Sequence, residues 1–498
     1  MTKENANMPS HDPGSPPSFQ PLVATEESSK GVFAVVALAV FLATLDLFIV
    51  NIAVPAIQGA FHGTTVADVS WVLNGYAIVF AALLVPAGKL GDVIGRRRVF
   101  MLGLFAFGLG SGLCAAAPSL EFLVGARVVQ AAGAAAVTPT SLGLLLPSLP
   151  PQRRAAAIGA WAAIGAVGAA SGPPLGGLLT TELSWHWIFI VNVPLALIAL
   201  LAAPKILPEI RDPAKPPLPD GLGTIILIAA VALATLGLIK GTDWNWDARV
   251  VGSFVSAALL TALLVWRSAR HPAPVLELSI VRVPAFALAS VSAGLFFAAF
   301  GAMLLGQVYF LTDVWHYSAL DAGVALTPGP VMAAIFARAS GRLAARYGPG
   351  LVGALGALLF SVGAGLLWII LIGVKPDYAG EFLPGMIVGG AGVGLALPSF
   401  TIAATRTLSP QRLATGIGAQ TMFRQIGATL GVAAFVGILG TPTTSDILTP
   451  FDNTRWFMIA AAAGAALALI LIRRPAPAPV APAAGDRLAP AAAHATPD

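Results

Sequence analysis

The sequence predicts an all-α polytopic membrane protein with fourteen spanning helices, and three observations carry that prediction. Only 10% of the 498 residues are charged and 57% are hydrophobic, against roughly 25% charged in a soluble globular domain. Mean hydropathy is +0.83. Apolar stretches recur along the chain, most of them near the roughly 20 residues a helix needs to cross the hydrocarbon. The third observation is that lysines and arginines collect in alternate connections between those stretches. No period-two alternation competes, so the spans read as helices and not as barrel strands. These properties exclude a soluble enzyme, a disordered chain and a nucleic-acid binder. The net charge of +5 is spread over short loops and forms no patch.

In chain order the stretches lie near 31–55, 70–88, 99–117, 122–146, 155–180, 187–203, 221–239, 250–266, 284–311, 321–340, 350–373, 382–404, 413–440 and 456–472. With fourteen spans, 22 of the 28 lysines and arginines fall on the side shared by both tails. The opposite loops hold only Lys240, Arg249, Lys375 and Arg455, while Arg127 and Arg424 fall inside spans. The positive-inside rule therefore places both termini in the cytoplasm, and a miscounted span would scramble the alternation. Trp71, Trp185, Trp187, Trp244, Trp246, Trp315 and Trp456 lie at outer ends, as an interfacial belt would. Residues 1–30 and 474–498 read as disordered cytoplasmic tails, with no cleavable signal peptide. Cys114, the only cysteine, lies in an apolar run and reads as a small core side chain.

The chain repeats itself. PQRRAAAIGA from Pro151 returns as PQRLATGIGA from Pro410, an offset at which Pro139 meets Pro398, Gly168 meets Gly427 and Gly172 meets Gly431. GKLGDVIG at 88–95 has a weaker echo in GRLAARYG at 341–348. A repeat in parallel orientation implies two six-helix bundles, 31–203 and 284–473, related by an axis along the membrane normal. The segment 204–283 then carries two extra helices. A site between such halves, near the midplane, follows from that architecture.

Asp46 is the one carboxylate among 23 placed deep inside a span. An acid costs a few kcal/mol there on insertion scales, so it is expected to be paired and functional; a structural hydrogen bond at a span end is the alternative. Burial raises such a group and a nearby cation lowers it, which suits a site that loads and releases a proton. Arg127 lies about one turn into the fourth span, with Gln130 a turn further on the same face. Arginine stays protonated, so it is expected to answer the charge of Asp46 and not to carry the proton; snorkelling to the outer headgroups is the alternative. Arg424 and Gln425 lie inside the thirteenth span with no acid of their own half near them in sequence. Asn51, Asn74, Tyr76, Gln307 and Tyr309 are polar groups in or near spans, suited either to a ligand or to interhelical hydrogen bonds. Asp313 and Asp321 flank a short outer loop. The sequence contains no P-loop lysine motif and no metal-ligand spacing, so neither ATP nor a metal is expected as cofactor.

These residues sit in motifs that resemble the major facilitator superfamily, and within it the fourteen-span drug:proton antiporters, over about 31–473. LDLFIVNIAVP in the first span is similar to the family's LDxTxVNxALP, with Phe48 at the threonine position. GKLGDVIGRRR matches the signature between the second and third spans, RVVQAAGAA resembles RxxQGxGAA, and GAVGAASGPPLGG matches the antiporter glycine motif. SWHWIFIVNVP is like WRWIFxINxP, with His186 for arginine. The resemblance implies a cytoplasmic gate at Gly88, Asp92, Gly95, Arg96 and Arg97, which latches the outward-open state and is weaker in the second copy, where Ala345 replaces the aspartate. It associates Gly165, Gly168, Gly172, Pro173, Gly176 and Gly177 with export. It assigns proton coupling to Asp46 with Arg127. The implied function is monomeric, proton-coupled efflux of amphipathic or cationic organic compounds, such as drugs or antibiotics, by alternating access. The partners are a small-molecule substrate, protons and the bilayer of the cell membrane, with the proton gradient as the energy source. Two alternatives stay open: a transporter of one defined metabolite on the same fold, and a non-transport membrane scaffold or intramembrane enzyme.

Overall fold

Fourteen helices long and apolar enough to cross a membrane are present among the described residues. The computed structural model describes residues 26–212, 214, 216–409, 412–440 and 447–472. Most of both tails therefore falls outside the description, as do Lys3, Lys215, Arg473, Arg474, Arg487 and the opening Pro410–Gln411 of the second repeat copy. The spans are α1 (Ser29–Ala60), α2 (Val66–Ile94), α3 (Arg96–Ala115), α4 (Leu120–Ser148), α5 (Gln152–Glu182), α6 (Trp187–Ile206), α7 (Gly221–Lys240) and α8 (Ala248–Ser268). They continue as α9 (Pro284–Val314), α10 (Ala319–Tyr347), α11 (Pro349–Leu371), α12 (Tyr378–Thr405), α13 (Thr415–Leu439) and α14 (Thr449–Ile470).

Several helices run further than the apolar windows suggest, because capped polar turns extend them. The first helical turn already starts at Glu26, inside the segment expected to be tail. At the start of α2, Thr65 and Asp68 form a capping box: the Asp68 N–H donates to Thr65 Oγ1 at 3.2 Å and the Thr65 N–H to Asp68 Oδ2 at 3.0 Å. Ser119 caps α4 more simply, its Oγ accepting from the Phe122 N–H at 3.3 Å. Arg455, expected in an outer loop, stands inside α14 and is buried, with Nη1 2.6 Å from Asp452 Oδ1. Trp185 and Trp315 are also corrected, since both are buried in packing contacts. Trp187, Trp246 and Trp456 are exposed as belt residues should be.

The helix pairings repeat. α1 packs on α5, α2 on α4, α3 on α4 and on α6, and α1 on α6. Eight helices later α9 packs on α13, α10 on α12, α11 on α12 and on α14, and α9 on α14. The glycines matched by the sequence repeat make the equivalent contacts. A Cβ at Gly168 would lie 3.0 Å from the Phe41 carbonyl of α1, and one at Gly172 2.6 Å from Phe48 Cβ. In the second set, Gly427 and Gly431 of α13 press on the carbonyls of Gly294 and Ala298 of α9. Without a hydrophobic drive between helices in lipid, such backbone approach is what holds them together.

The two sets meet along two seams. At the outer end of the α5–α10 seam, Gly177 abuts the Ala319 carbonyl and Gly323 abuts the Pro173 carbonyl. There the Leu320 N–H donates to Thr181 Oγ1 at 3.1 Å. Nearby, Tyr309 of α9 donates to Gln58 Oε1 of α1 at 2.7 Å. Toward the cytoplasmic end the contacts of this seam thin: a Cβ at Gly159 of α5 or Gly341 of α10 would meet nothing within 4 Å. The second seam, α2 against α13, is covered from outside by α7, which packs on both, while α8 packs on α7. Ile226, Leu227 and Val231 of α7 share a cluster with Ile78, Ala81 and Ala82 of α2 and Met422 of α13. Thr242, just past α7, donates to the Gly437 carbonyl at 2.7 Å. Asp220 caps α7 and takes both oxygens' worth of contact from Arg267 of α8, at 2.8 and 2.9 Å. Burial pushes the Asp220 carboxyl up, but the hydrogen bonds from Arg267 and the Gly223 N–H outweigh it and hold it below its ordinary 3.8.

Candidate functional site

Asp46 lies at the middle of α1, where the glycine ridge of α5 brings the two backbones together on one side. On the other side α4 and α6 present polar groups to it. Arg127 Nη1 donates to Asp46 Oδ2 at 2.7 Å. Gln130 Nε2 donates to Asp46 Oδ1 at 2.7 Å, and Asn192 Nδ2 of α6 to the same oxygen at 3.1 Å. Asp46 is 0% exposed and Arg127 1%. The carboxyl thus faces the protein interior and not lipid. In this conformation it is also closed off from solvent.

A second ring of contacts fixes the pair. Gln130 accepts from Arg127 Nη1 at 2.6 Å through Oε1 and donates to Ser111 Oγ at 2.8 Å. Arg127 Nε donates to the Val72 carbonyl at 3.2 Å. The guanidinium lies 4.0 Å over the Tyr76 ring, a cation–π contact in a dry site. Cys114 Sγ is 3.8 Å from Gln130 Oε1, so this cysteine borders the cluster as well as filling core. The Tyr76 hydroxyl, Asn192 Oδ1 and both amide atoms of Asn74 are buried without a hydrogen-bond partner among the described residues. Buried polar atoms left open in this way mark a place where groups or waters exchange partners.

The other expected site residues lie elsewhere. Asn51 is buried on α1 and donates to the Leu47 carbonyl at 2.9 Å, an intrahelical bond. Gln307, near the outer end of α9, is 3.5 Å from Met386 Sδ and lines a small cavity with Trp368, Phe382 and Arg455. Tyr309 closes the outer seam, as described. Arg424 and Gln425 are on α13, away from Asp46. The Arg424 guanidinium lies 4.4 Å from the Phe297 ring centre, and its Nε and Gln425 Nε2 have no partner among the described residues.

The segment expected as a cytoplasmic loop is mostly helix. Gly88 to Ile94 are the last turns of α2, and Gly95 alone turns the chain, at φ 115°, into α3. Asp92 pairs with Arg96 at 2.9 Å, and Arg96 Nη1 donates to the Gly143 carbonyl of α4 at 2.8 Å. Arg97 Nη1 donates to the Leu207 carbonyl at 3.1 Å, and Glu209 sits 3.7 Å from Arg97 and 3.6 Å from Arg98. All of these partners belong to the first six helices or the segment after α6. Among the described residues, none of these hydrogen bonds or ion pairs reaches the second half. Of the export glycines, Gly168, Gly172 and Gly176 bear on α1, Gly177 and Pro173 bear on α10, and Gly165 has room, its nearest neighbour being Thr44 Oγ1 at 3.6 Å.

Sequence reasoning missed Asn192, Ser111 and Glu209. Asn192 lies in the quoted SWHWIFIVNVP segment as a polar residue within an apolar span, which is the same signal that singled out Asn51. Ser111 gives no signal in a glycine-rich helix, and Glu209 looks like any loop acid.

A family model described as Major Facilitator Superfamily matches residues 36–432 and 291–495. The chain is 32% identical over 413 residues to the Tetracenomycin C resistance and export protein of Streptomyces glaucescens, covering 83% of this chain and 76% of that one. It is 33% identical over 406 residues to the Multidrug resistance protein Stp of Mycobacterium tuberculosis, covering 81% and 74%. In structure it resembles an auto-inhibited peptide transporter of the POT family, with TM-score 0.66 and 14% identity over 90% of this chain and 99% of that one. That last likeness concerns the fold alone.

Proposed function

The chain belongs to the Major Facilitator Superfamily, and from that premise we propose that it exports amphipathic organic compounds in exchange for protons. The curated relatives are named for drug resistance and antibiotic export, which supports a substrate of that kind. The observation that carries proton coupling is the buried Asp46–Arg127 pair. Removing one partner of such a pair costs about 3–5 kcal/mol because the other charge is left uncompensated. A proton arriving on Asp46 does the same thing without a mutation, and the helices holding Arg127, Gln130 and Asn192 then gain by rearranging. Arg127 itself keeps its proton throughout.

The transport cycle follows from the seams. Two six-helix halves, 31–203 and 284–473, rock against each other, and the extra pair within 204–283 rides on one seam. The present conformation is shut at its outer end and parted toward the cytoplasm, so it corresponds to the loading side of the cycle. Asp46 must be uncovered on the outward stroke, where it takes up a proton as substrate leaves. In that state Asp92 and its neighbours engage the second half. One charge moving through 100 mV is worth about 2.3 kcal/mol, enough for roughly a fiftyfold concentration ratio. A single chain holds both halves and the pair, so the monomer suffices as transport unit.

The test is substrate uptake into everted vesicles energised by a proton gradient, with wild type and Asp46→Asn. Uptake should collapse with an uncoupler in wild type and lose its dependence on the gradient in the variant. Gradient-driven uptake that survives in Asp46→Asn refutes the assignment.

A further inference from the structure

The sequence reading left cationic compounds within the substrate range. The charges around the second half argue otherwise. Between Glu277 and Asp446 the only carboxylates are Asp313, Asp321, Asp377 and Glu381, all at outer ends of spans. On the cytoplasmic side of that stretch the charged residues are arginines alone. Topology accounts for those near the helix ends. It does not account for Arg424, nearly three turns inside α13.

Arg424 reaches from α13 across to α9. Its guanidinium covers Phe297 of α9, Phe297 meets Phe300 edge-on at 5.6 Å, and Phe300 meets Phe48 of α1 at 6.5 Å. Phe48 is two residues from Asp46. This aromatic row bridges the two halves, and the lone cation stands at its end. Arg424 has no carboxylate partner among the described residues. Its Nε finds no acceptor, and neither does Nε2 of Gln420, one turn away on the same face, nor Nε2 of Gln425. Gln420 is 1% exposed and Gln425 7%. The two donors that share a face, Arg424 Nε and the buried Gln420 Nε2, ask for a ligand that supplies oxygens and negative charge. Asp46, two residues from Phe48 in sequence, is already paired with Arg127 and offers a cation nothing.

We propose that the transported compound is an amphipathic organic anion. Its carboxylate or phenolate is received by Arg424 with the amide of Gln420, and its apolar body lies along Phe297 and Phe300. This rests on the export reading and narrows it. It also changes the energetics. Exchanging a monovalent anion for one proton moves two charges down an inside-negative potential, whereas exchanging a monovalent cation moves none. The membrane potential then drives export even without a pH difference.

Two dyes of one ring system separate the cases: fluorescein, an anion, and a rhodamine ester, a cation. Their flux is followed in proteoliposomes under a pH gradient alone and under a potassium diffusion potential alone. Wild type should move fluorescein faster and respond to the potential alone. Arg424→Gln should cut fluorescein flux by about tenfold or more, the loss of one charge-assisted hydrogen bond. Arg424→Lys should recover part of it, and rhodamine flux should not fall. Faster rhodamine flux in wild type, or equal losses for both dyes in Arg424→Gln, overturns the proposal. If neither dye moves, fluorescence polarisation of fluorescein on the solubilised protein decides. Binding about tenfold weaker in Arg424→Gln supports the anion site, and equal binding refutes it. A fluorescein preference lost in Arg424→Gln but indifferent to both gradients sinks the antiport reading and leaves the anion site standing.

Discussion

Arg127 in α4 and Arg424 in α13 are both arginines held well inside a spanning helix, and they differ in company. Arg127 has a carboxylate at 2.7 Å, an amide, a backbone carbonyl and a tyrosine ring. Arg424 has one phenylalanine ring and an unpartnered Nε. The two halves share their helix pairings and their glycine contacts, so the difference is not one of scaffold. It teaches that one framework was filled with two chemistries: a closed charge pair that a proton can break, and an open cation that waits for a partner. The second half does contain a compensated arginine, Arg455 with Asp452, but that pair sits near the outer end of α14.

The comparison is broken most severely at the pair. Arg127→Met leaves Asp46 buried and uncompensated and should destabilise the protein by about 3–5 kcal/mol, read as a large fall in melting temperature in detergent. Adding Asp46→Leu should restore much of that stability, with a coupling of about 0.5–3 kcal/mol in a double-mutant cycle, while proton-driven transport stays lost. Additive effects would mean the pair is not a unit.

The glycine ridges test the shared scaffold. Gly172→Val puts a side chain against Phe48 Cβ at 2.6 Å, and Gly431→Val drives one into the Ala298 carbonyl. Overpacking of this kind costs about 1–3 kcal/mol. The two substitutions should lower the melting temperature by similar amounts, since each forces an equivalent helix pair apart. Gly165→Ala, which meets only Thr44 Oγ1 at 3.6 Å, is the control and should change little.

The two turn glycines sharpen the comparison further. Gly95 at φ 115° and Gly348 at φ 90° hold the same place in the two copies of the motif. Both conformations strain an L residue, by about 1–3 kcal/mol. A Cβ at Gly95 also strikes the Glu209 carboxylate, while one at Gly348 meets nothing within 4 Å. Gly95→Ala should therefore lower stability more than Gly348→Ala, and Glu209→Ala should narrow the gap. The smallest effect is expected at Asp92→Ala, which copies the second half's Ala345. The Asp92–Arg96 pair is about a third exposed on each side, so its loss should cost under about 1 kcal/mol. If Asp92 latches the outward state, the same variant should slow transport far more than it lowers stability.

Much of this was legible in the chain. The alternation of arginines and lysines set the span count, because each helix end must leave its cations on one side. The Asp46–Arg127 pairing could be anticipated because two opposite charges in hydrocarbon are cheaper together than apart. Helix ends were not legible: a hydropathy window stops at the first polar residues, whereas α14 begins with a charged turn and so swallowed Arg455. The groups on α3 and α6 that complete the cluster, Ser111 beside Gln130 and Asn192 on Asp46, were hidden for another reason. A serine or asparagine in a span is equally good at bonding its own backbone, as Asn51 does, and only the packing of α6 against α1 decides which it will be. The empty company of Arg424 could be read only as far as the absence of a nearby acid; that Phe297 of α9 lies against it is a fact of three-dimensional packing.

The hairpin of α7 and α8 makes the molecule lopsided toward the bilayer. One seam between the halves is boarded over by α7, and the other, between α5 and α10, stands ajar on its inner side with no helix in front of it. A compound arriving from the inner leaflet would therefore meet α7 on one flank and only the α5–α10 contact on the other.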